Sequence, residues 1–180
     1  QDNIVVSTDS LYFTSTGLTS TGETGTRSVS LRTYAGKGRY IEFLYSLPWN
    51  SYLVHCTVNI AGMGNVIPSN ISSLSLDWKN RVLKQEHSIE AERKTTTIHF
   101  QYLDKETGYL SETEDEKKSL ATKVKWISFK QQFFSSVLIA EKEFEKPITV
   151  EAVKEENTDQ FVRRLGANLS LPYSHREKES

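Results

Sequence analysis

Tyr52-Leu53-Val54-His55-Cys56-Thr57-Val58-Asn59-Ile60 is the stretch on which the fold turns. Tyr52, Val54, Cys56, Val58 and Ile60 fall on one side of an extended chain, and Leu53, His55, Thr57 and Asn59 on the other. A period of two is that of a half-buried strand. Working outward, Ser28 to Tyr34, Arg39 to Leu47, Leu74 to Trp78, Thr95 to Tyr102 and Phe161 to Leu171 read similarly. In the last of these, Phe161, Leu165, Ala167, Leu169 and Leu171 share a face against Arg164, Asn168 and Ser170. Turn chemistry separates the runs at Ala35-Gly36-Lys37-Gly38, Pro48-Trp49-Asn50-Ser51, Gly62-Met63-Gly64-Asn65 and Asp104 to Gly108. Short strands with close turns predict an all-β chain, a large antiparallel sandwich with little helix.

The remainder is expected to connect these strands within a single domain spanning residues 1–180. Residues 14–26, rich in Thr, Ser and Gly, read as a mobile loop or hairpin tip, with too few apolar side chains to anchor them. Residues 110–122 read as a second loop, whose charge run Glu112, Glu114, Asp115, Glu116, Lys117 and Lys118 is a solvated face. Glu151 to Asp159 is a third polar link, and Val82 to Glu92 has room for one or two helical turns.

One segment breaks the alternation. Trp126-Ile127-Ser128-Phe129-Lys130-Gln131-Gln132-Phe133-Phe134-Ser135-Ser136-Val137-Leu138-Ile139-Ala140 is apolar on both faces of an extended reading. Trp126, Phe134, Leu138 and Ala140 lie on one side; Ile127, Phe129, Phe133, Val137 and Ile139 lie on the other. Trp126, Phe129, Phe133 and Val137 also share a helix face, so periodicity leaves both readings open. Packing on two sides suits a central strand of a sandwich, with a helical turn at Lys130 to Phe133.

A chain of 180 residues can bury about 70% of the surface its unfolded form exposes, enough for a core of its own. Twenty-two basic residues stand against 23 acidic ones, a net charge of −1. That argues against nucleic-acid binding by bulk charge, which needs surplus Lys and Arg to displace counterions. No apolar run reaches the length that spans a bilayer. A lone cysteine, Cys56, permits no internal disulfide. The chain opens at Gln1, carries Met63 as its only methionine, and shows no charged and apolar leader pattern. It reads as a piece excised from a longer polypeptide, whose natural context has room for membrane segments.

No catalytic constellation is visible. His55 and Cys56 are adjacent in a strand and point to opposite faces, so they cannot pair as imidazole and thiolate, and Cys56 reads as a core thiol. His99, in Thr97-Ile98-His99-Phe100-Gln101, reads as a satisfied or polar-face histidine. His87 lies in a charged link and His175 in the tail. Glu86, Glu90 and Glu92 around His87 read as a solvated face. No HxH, HExxH or CxxC spacing, GxSxG or phosphate-cradling glycine loop occurs, so the expected catalytic, cofactor and metal residues are none. The sequons at Asn70 and Asn168 matter only in a glycosylating host. Aromatic residues are expected in the core, or along a sugar-binding cleft.

The two-sided segment also carries a family resemblance. Lys125-Trp126-Ile127-Ser128-Phe129-Lys130-Gln131-Gln132-Phe133-Phe134-Ser135-Ser136 resembles the W-V/I-x-x-K/Q-x-Q-[FY]-F-[SA]-[ST] stretch in the large periplasmic domain of YidC membrane-protein insertases, closest to the Bacteroidetes type. Leu76-Asp77-Trp78, Gln85-Glu86-His87-Ser88, Glu92 to Thr96, Ile98 to Tyr102, Leu110-Ser111-Glu112 and Leu171-Pro172-Tyr173 follow the same family's order and spacing. The resemblance is good from Leu74 to Tyr173 and weak over the first seventy residues. It implies a β-supersandwich similar to galactose-mutarotase-like proteins, in a bacterial inner-membrane protein, with this domain facing the periplasm. It also implies a binding or scaffolding role in the insertion and folding of inner-membrane proteins, with or without the Sec translocon. Partners would be nascent inner-membrane proteins and the translocon with its SecDF components; neither nucleic acid nor any cofactor is implied. The family's insertion groove lies among membrane helices that are absent here, so no insertase residue carries over. The alternative is a carbohydrate-binding or mutarotase-like sandwich, whose carboxylate base and histidine acid must converge on the sugar; of the two strand histidines, neither His55 nor His99 can be placed opposite a particular Glu or Asp.

Overall fold

The computed structural model describes residues 6–156 and 159–173. His175 lies outside the described residues, as do two positions of the Glu151 to Asp159 link. The architecture is all-β and antiparallel, as the alternation predicts, and divides between Asn70 and Ile71 into two compact units.

The first unit holds a four-stranded sheet in the order β1 (Thr14–Ser20), β2 (Arg27–Gly36), β3 (Arg39–Leu47) and β4 (His55–Ala61). Residues 14–20, expected to be loop, form an edge strand that is exposed throughout. Its pairing with β2 is made by backbone hydrogen bonds, which need no apolar side chain. Only the turn between Thr21 and Thr26 remains of the expected loop. The β2–β3 turn relies on glycine: Gly36 and Gly38 have φ of 124° and 73°. Strand β4 begins three residues later than the alternation suggested, and Tyr52, Val54, Cys56 and Val58 are exposed. Cys56 is therefore not a core thiol. It sits on the outer strand of a unit whose only buried apolar side chain among the described residues is Met63.

One face of this sheet is pinned by a buried carboxylate. Glu42 in β3 accepts from the Ser30 hydroxyl, from Asn59 Nδ2 at 2.8 Å and from Arg32 Nε at 2.8 Å. These donors, the Ser30 hydroxyl foremost, hold the Glu42 carboxyl down at about 2, against the opposing effect of burial. An acid whose folded pKa lies below the ordinary 4.5 adds stability at higher pH and loses it as pH falls from about 4.5 toward about 2. Urea midpoints measured at pH 6 and pH 3 are accordingly expected to drop more in the native chain than in Glu42→Gln. Equal drops would show that the clamp contributes nothing.

The second unit is a seven-stranded antiparallel sheet folded into two leaves. Strand β10 (Ser135–Lys154) belongs to both. Its first half pairs with β9 (Val124–Lys130), followed outward by β6 (Thr97–Tyr102) and β7 (Thr107–Tyr109). Its second half pairs with β11 (Phe161–Pro172) on one side and β8 (Glu116–Ser119) on the other, and β5 (Ser73–Leu83) closes that leaf beyond β11. The pairing registers of β10 shift between Ile139 and Phe144 and between Glu145 and Thr149. Pro147, which has no N–H to give a ladder, lies in the second shift. Lys125 Nζ donates to the carbonyls of Ala140 and Glu141, each at 2.8 Å, and of Lys142 at 3.2 Å, satisfying backbone that the first shift leaves without a ladder partner.

Alternation fills the space between the leaves. Ile98, Phe100, Ile127 and Phe129 from one meet Ile148, Val150, Leu165 and Leu169 from the other, all essentially inaccessible. Trp78 of β5 stacks on Phe129 of β9 with ring centres 3.8 Å apart and planes within 7°.

Four expectations change here. The segment 126–140 is not one two-sided strand but a hairpin: β9 ends at Lys130, Gln131 N–H donates to the Phe134 carbonyl at 2.8 Å, and β10 begins at Ser135. The reversal leaves Phe133, Phe134, Val137 and Ile139 exposed. Among the described residues, α-helix is confined to α1 (Ile89–Arg93), capped by the Ser88 hydroxyl near the end of the Val82 to Glu92 span, beside one 3-10 turn at Thr8–Ser10; Val82 itself continues strand β5. Residues 110–122 contain β8 and the buried Leu110 and Leu120, and strand β10 runs on to Lys154 through what read as a polar link.

Candidate binding groove

The outer face of the β7–β6–β9–β10 leaf carries a second, solvent-facing set of side chains. In-phase residues lie in rows across the strands. Tyr109, His99, Ser128 and Val137 form one row, and Thr107, Gln101, Trp126 and Ile139 the next. A shallow concavity of about 430 Å³ lies over them, lined by His99, Trp126, Ser128, Lys130, Ser135, Val137 and Ile139. Its lining is mostly apolar. Val137 and Ile139 are each about half exposed, at 49% and 48%, and Phe133 and Phe134 project beside it from the hairpin.

Two polar side chains of the groove are held by partners, and one buried nitrogen is not. Trp126 Nε1 donates to Gln101 Oε1 at 3.0 Å, which holds the indole in place. Lys130 Nζ pairs with Glu112 Oε1 at 3.1 Å at one end. The His99 ring stacks on Tyr109 with centres 5.6 Å apart, and its Nε2 is buried without a hydrogen-bond partner. Burial lowers the His99 pKa, the Lys130 charge lowers it further, and Glu112 opposes both. The imidazole is thus neutral at neutral pH. His99 reads in the sequence as a satisfied or polar-face histidine; it lies on the outer face of β6, with Nε2 lacking a hydrogen-bond partner. The rows themselves escaped sequence reading, because the hairpin at residues 131–134 decides which side of β10 faces which side of β9.

The other candidates do not gather into a site. His55 is exposed in β4 opposite Ser46, and His87 is exposed before α1. Glu92 departs from the solvated-face reading: it is 4% exposed and its carboxylate accepts the backbone N–H groups of Gln85 and Glu86, fastening the β5–α1 connection. Asn168 sits in β11 and donates to Ser75 and Asp77. Among the described residues no group of three or more His, Cys, Asp or Glu side chains is placed to hold a metal ion.

An antiparallel all-β chain with a leaf-spanning strand and an apolar outer groove has the make-up of a binding domain. Comparison with known proteins gives its family: a family model described as the YidC periplasmic domain matches residues 1–173, and the chain belongs to that family. The membrane protein insertase YidC of Phocaeicola vulgatus is 31% identical over 163 residues, covering 91% of this chain and 25% of that protein. That of Parabacteroides distasonis is 27% identical over 179 residues, covering 99% and 27%. That of Porphyromonas gingivalis ATCC 33277 is 32% identical over 145 residues, covering 80% and 22%. The chain therefore spans about a quarter of the length of these relatives. No solved structure matches it. The match extends over the first seventy residues, where the resemblance in the sequence is weak, and it does not favour the carbohydrate-binding alternative.

Proposed function

We propose that residues 1–180 act as one periplasmic domain of a YidC-type insertase, an inner-membrane protein that assists insertion and folding of inner-membrane proteins with or without the Sec translocon. The domain binds and scaffolds and does no catalysis. Its partners are nascent inner-membrane proteins and Sec components such as SecDF. The observation that carries this reading is the family match across residues 1–173.

Antibody raised against the chain is expected to detect, in fractionated source cells, an inner-membrane band well above the 20.5 kDa of the chain itself. Replacing the domain in its parent by a short linker should then change the set of proteins crosslinked to that parent. A soluble band near the chain's own mass, or an unchanged set of partners, overturns the proposal.

A further inference from the structure

We infer that the first half of β10 is a docking edge for an extended polypeptide segment, which pairs with Ser135–Ile139 as an added strand and lays apolar side chains into the adjoining His99–Trp126 groove. The inference rests on the binding role proposed above and specifies where it is exercised and by what chemistry.

The backbone supplies the first argument. Among the described residues, β10 between Ser135 and Ile139 pairs only with β9, since β11 joins from Glu145 and β8 from Thr149. One side of this half-strand therefore presents unpaired N–H and C=O groups, a template for another strand. Natural edges are protected by charge, proline, irregularity or shortness. The β5 edge carries Asp77, Lys79 and Arg81; β1 is irregular between Ser15 and Leu18; β7 has three residues. Ser135-Ser136-Val137-Leu138-Ile139-Ala140 has none of these protections. It contains no charge and no proline, and its register with β9 is regular from Ser135 to Ile139.

The side chains supply the second. A strand added at this edge would lie next to the outer row positions Val137 and Ile139, with Trp126 beyond them, so alternate residues of the newcomer face an apolar concavity. A sugar would need a denser set of polar partners, and a bilayer would need a broader apolar surface with a basic rim. The groove has one orphan, His99 Nε2, where its own hydrogen bonding is incomplete. Strand β4 is also an uncharged edge, but no buried unpaired side-chain atom of the described residues lies on its sheet.

The test uses the full 180-residue chain and a fluorescein-labelled peptide alternating threonine with phenylalanine or isoleucine, with a lysine at each end. Fluorescence anisotropy should report binding that weakens about tenfold or more in Val137→Lys/Ile139→Lys, and as much when alternate peptide nitrogens are methylated. Leu18→Lys, the same kind of change on exposed strand β1, should leave it unaltered. Both changed positions are half exposed, and equal unfolding midpoints confirm that the fold survives. In the native chain, the peptide should slow amide hydrogen exchange between residues 135 and 141. Absence of binding, equal binding to the double variant, equal loss with Leu18→Lys, or no added protection would each overturn the docking edge. If the parent's crosslinked partners still depend on the domain, the family role stands and only this site falls.

Discussion

Arg163→Ala is expected to lower the stability of the second unit by about 3–5 kcal/mol, the scale of breaking a buried charged network. Arg163 is wholly inaccessible and belongs to β11, yet it is bonded to three other segments. Its Nη1 donates to the carbonyls of Thr96 and Ser111 at 3.0 Å and of Glu112 at 3.2 Å. Its Nη2 donates to Glu114 and Ala152 and lies 3.9 Å from an Asp115 carboxylate oxygen. One guanidinium fork thus ties residues 111–115 to the start of β6 and to β10. Burial pulls its pKa below the usual arginine value, and Asp115 opposes that. Alanine would leave five carbonyls without this donor; those of Thr96 and Ala152 are bonded in buried surroundings and face a desolvation cost of about 1–3 kcal/mol each, whereas those of Ser111, Glu112 and Glu114 lie nearer to solvent. Lysine keeps the charge but not the planar fork, so Arg163→Lys should recover only part of the loss. Urea unfolding measures the stability, and hydrogen exchange across residues 111–116 shows whether the link is released. A midpoint within experimental error of the native value would rule out the hub.

Phe129→Ala should cost about 3–5 kcal/mol for a different reason. Phe129 has no exposed surface and its ring lies flat against Trp78, so removing it opens a cavity between the leaves. The Trp78 indole would lose its stacking partner, and near-ultraviolet circular dichroism should weaken along with stability. Phe129→Leu refills much of the volume and should cost less than half as much. If both variants matched the native chain in urea, the stack would not be what holds the leaves together.

Much of the strand framework was legible. Alternation located β2, β3, β6 and β11 and, in β11, the inward Leu165, Ala167 and Leu169, whereas the buried residues of β2 and β3 are the polar Ser30 and Glu42. Strand β1 was not legible because backbone pairing and the Thr16 and Thr19 hydroxyls hold it, without apolar burial. The hairpin after Lys130 was hidden because Gln131-Gln132-Phe133-Phe134 contains no residue with turn chemistry. Arg163 was hidden by a bulge: between Phe161 and Arg164, two residues of β11 oppose the single Val82 of β5. A bulge breaks the period of two, so Val162 and Arg163 both turn inward. The groove was illegible as a site for the same reason as the hairpin, although His99 and Trp126 had each been noticed singly.

The pairing of β5 with β11 has a consequence for a chain delivered from its N-terminus. Leu74 meets Leu171, roughly a hundred residues later, and β11 is also the partner of the second half of β10. While synthesis or translocation has reached no further than Gln160, β5 and the second half of β10 both lack the strand between them. Only the arrival of the last dozen strand residues closes that leaf and shuts Arg163 inside. The unit is therefore timed to mature late, and it exposes two open edges until its end is delivered.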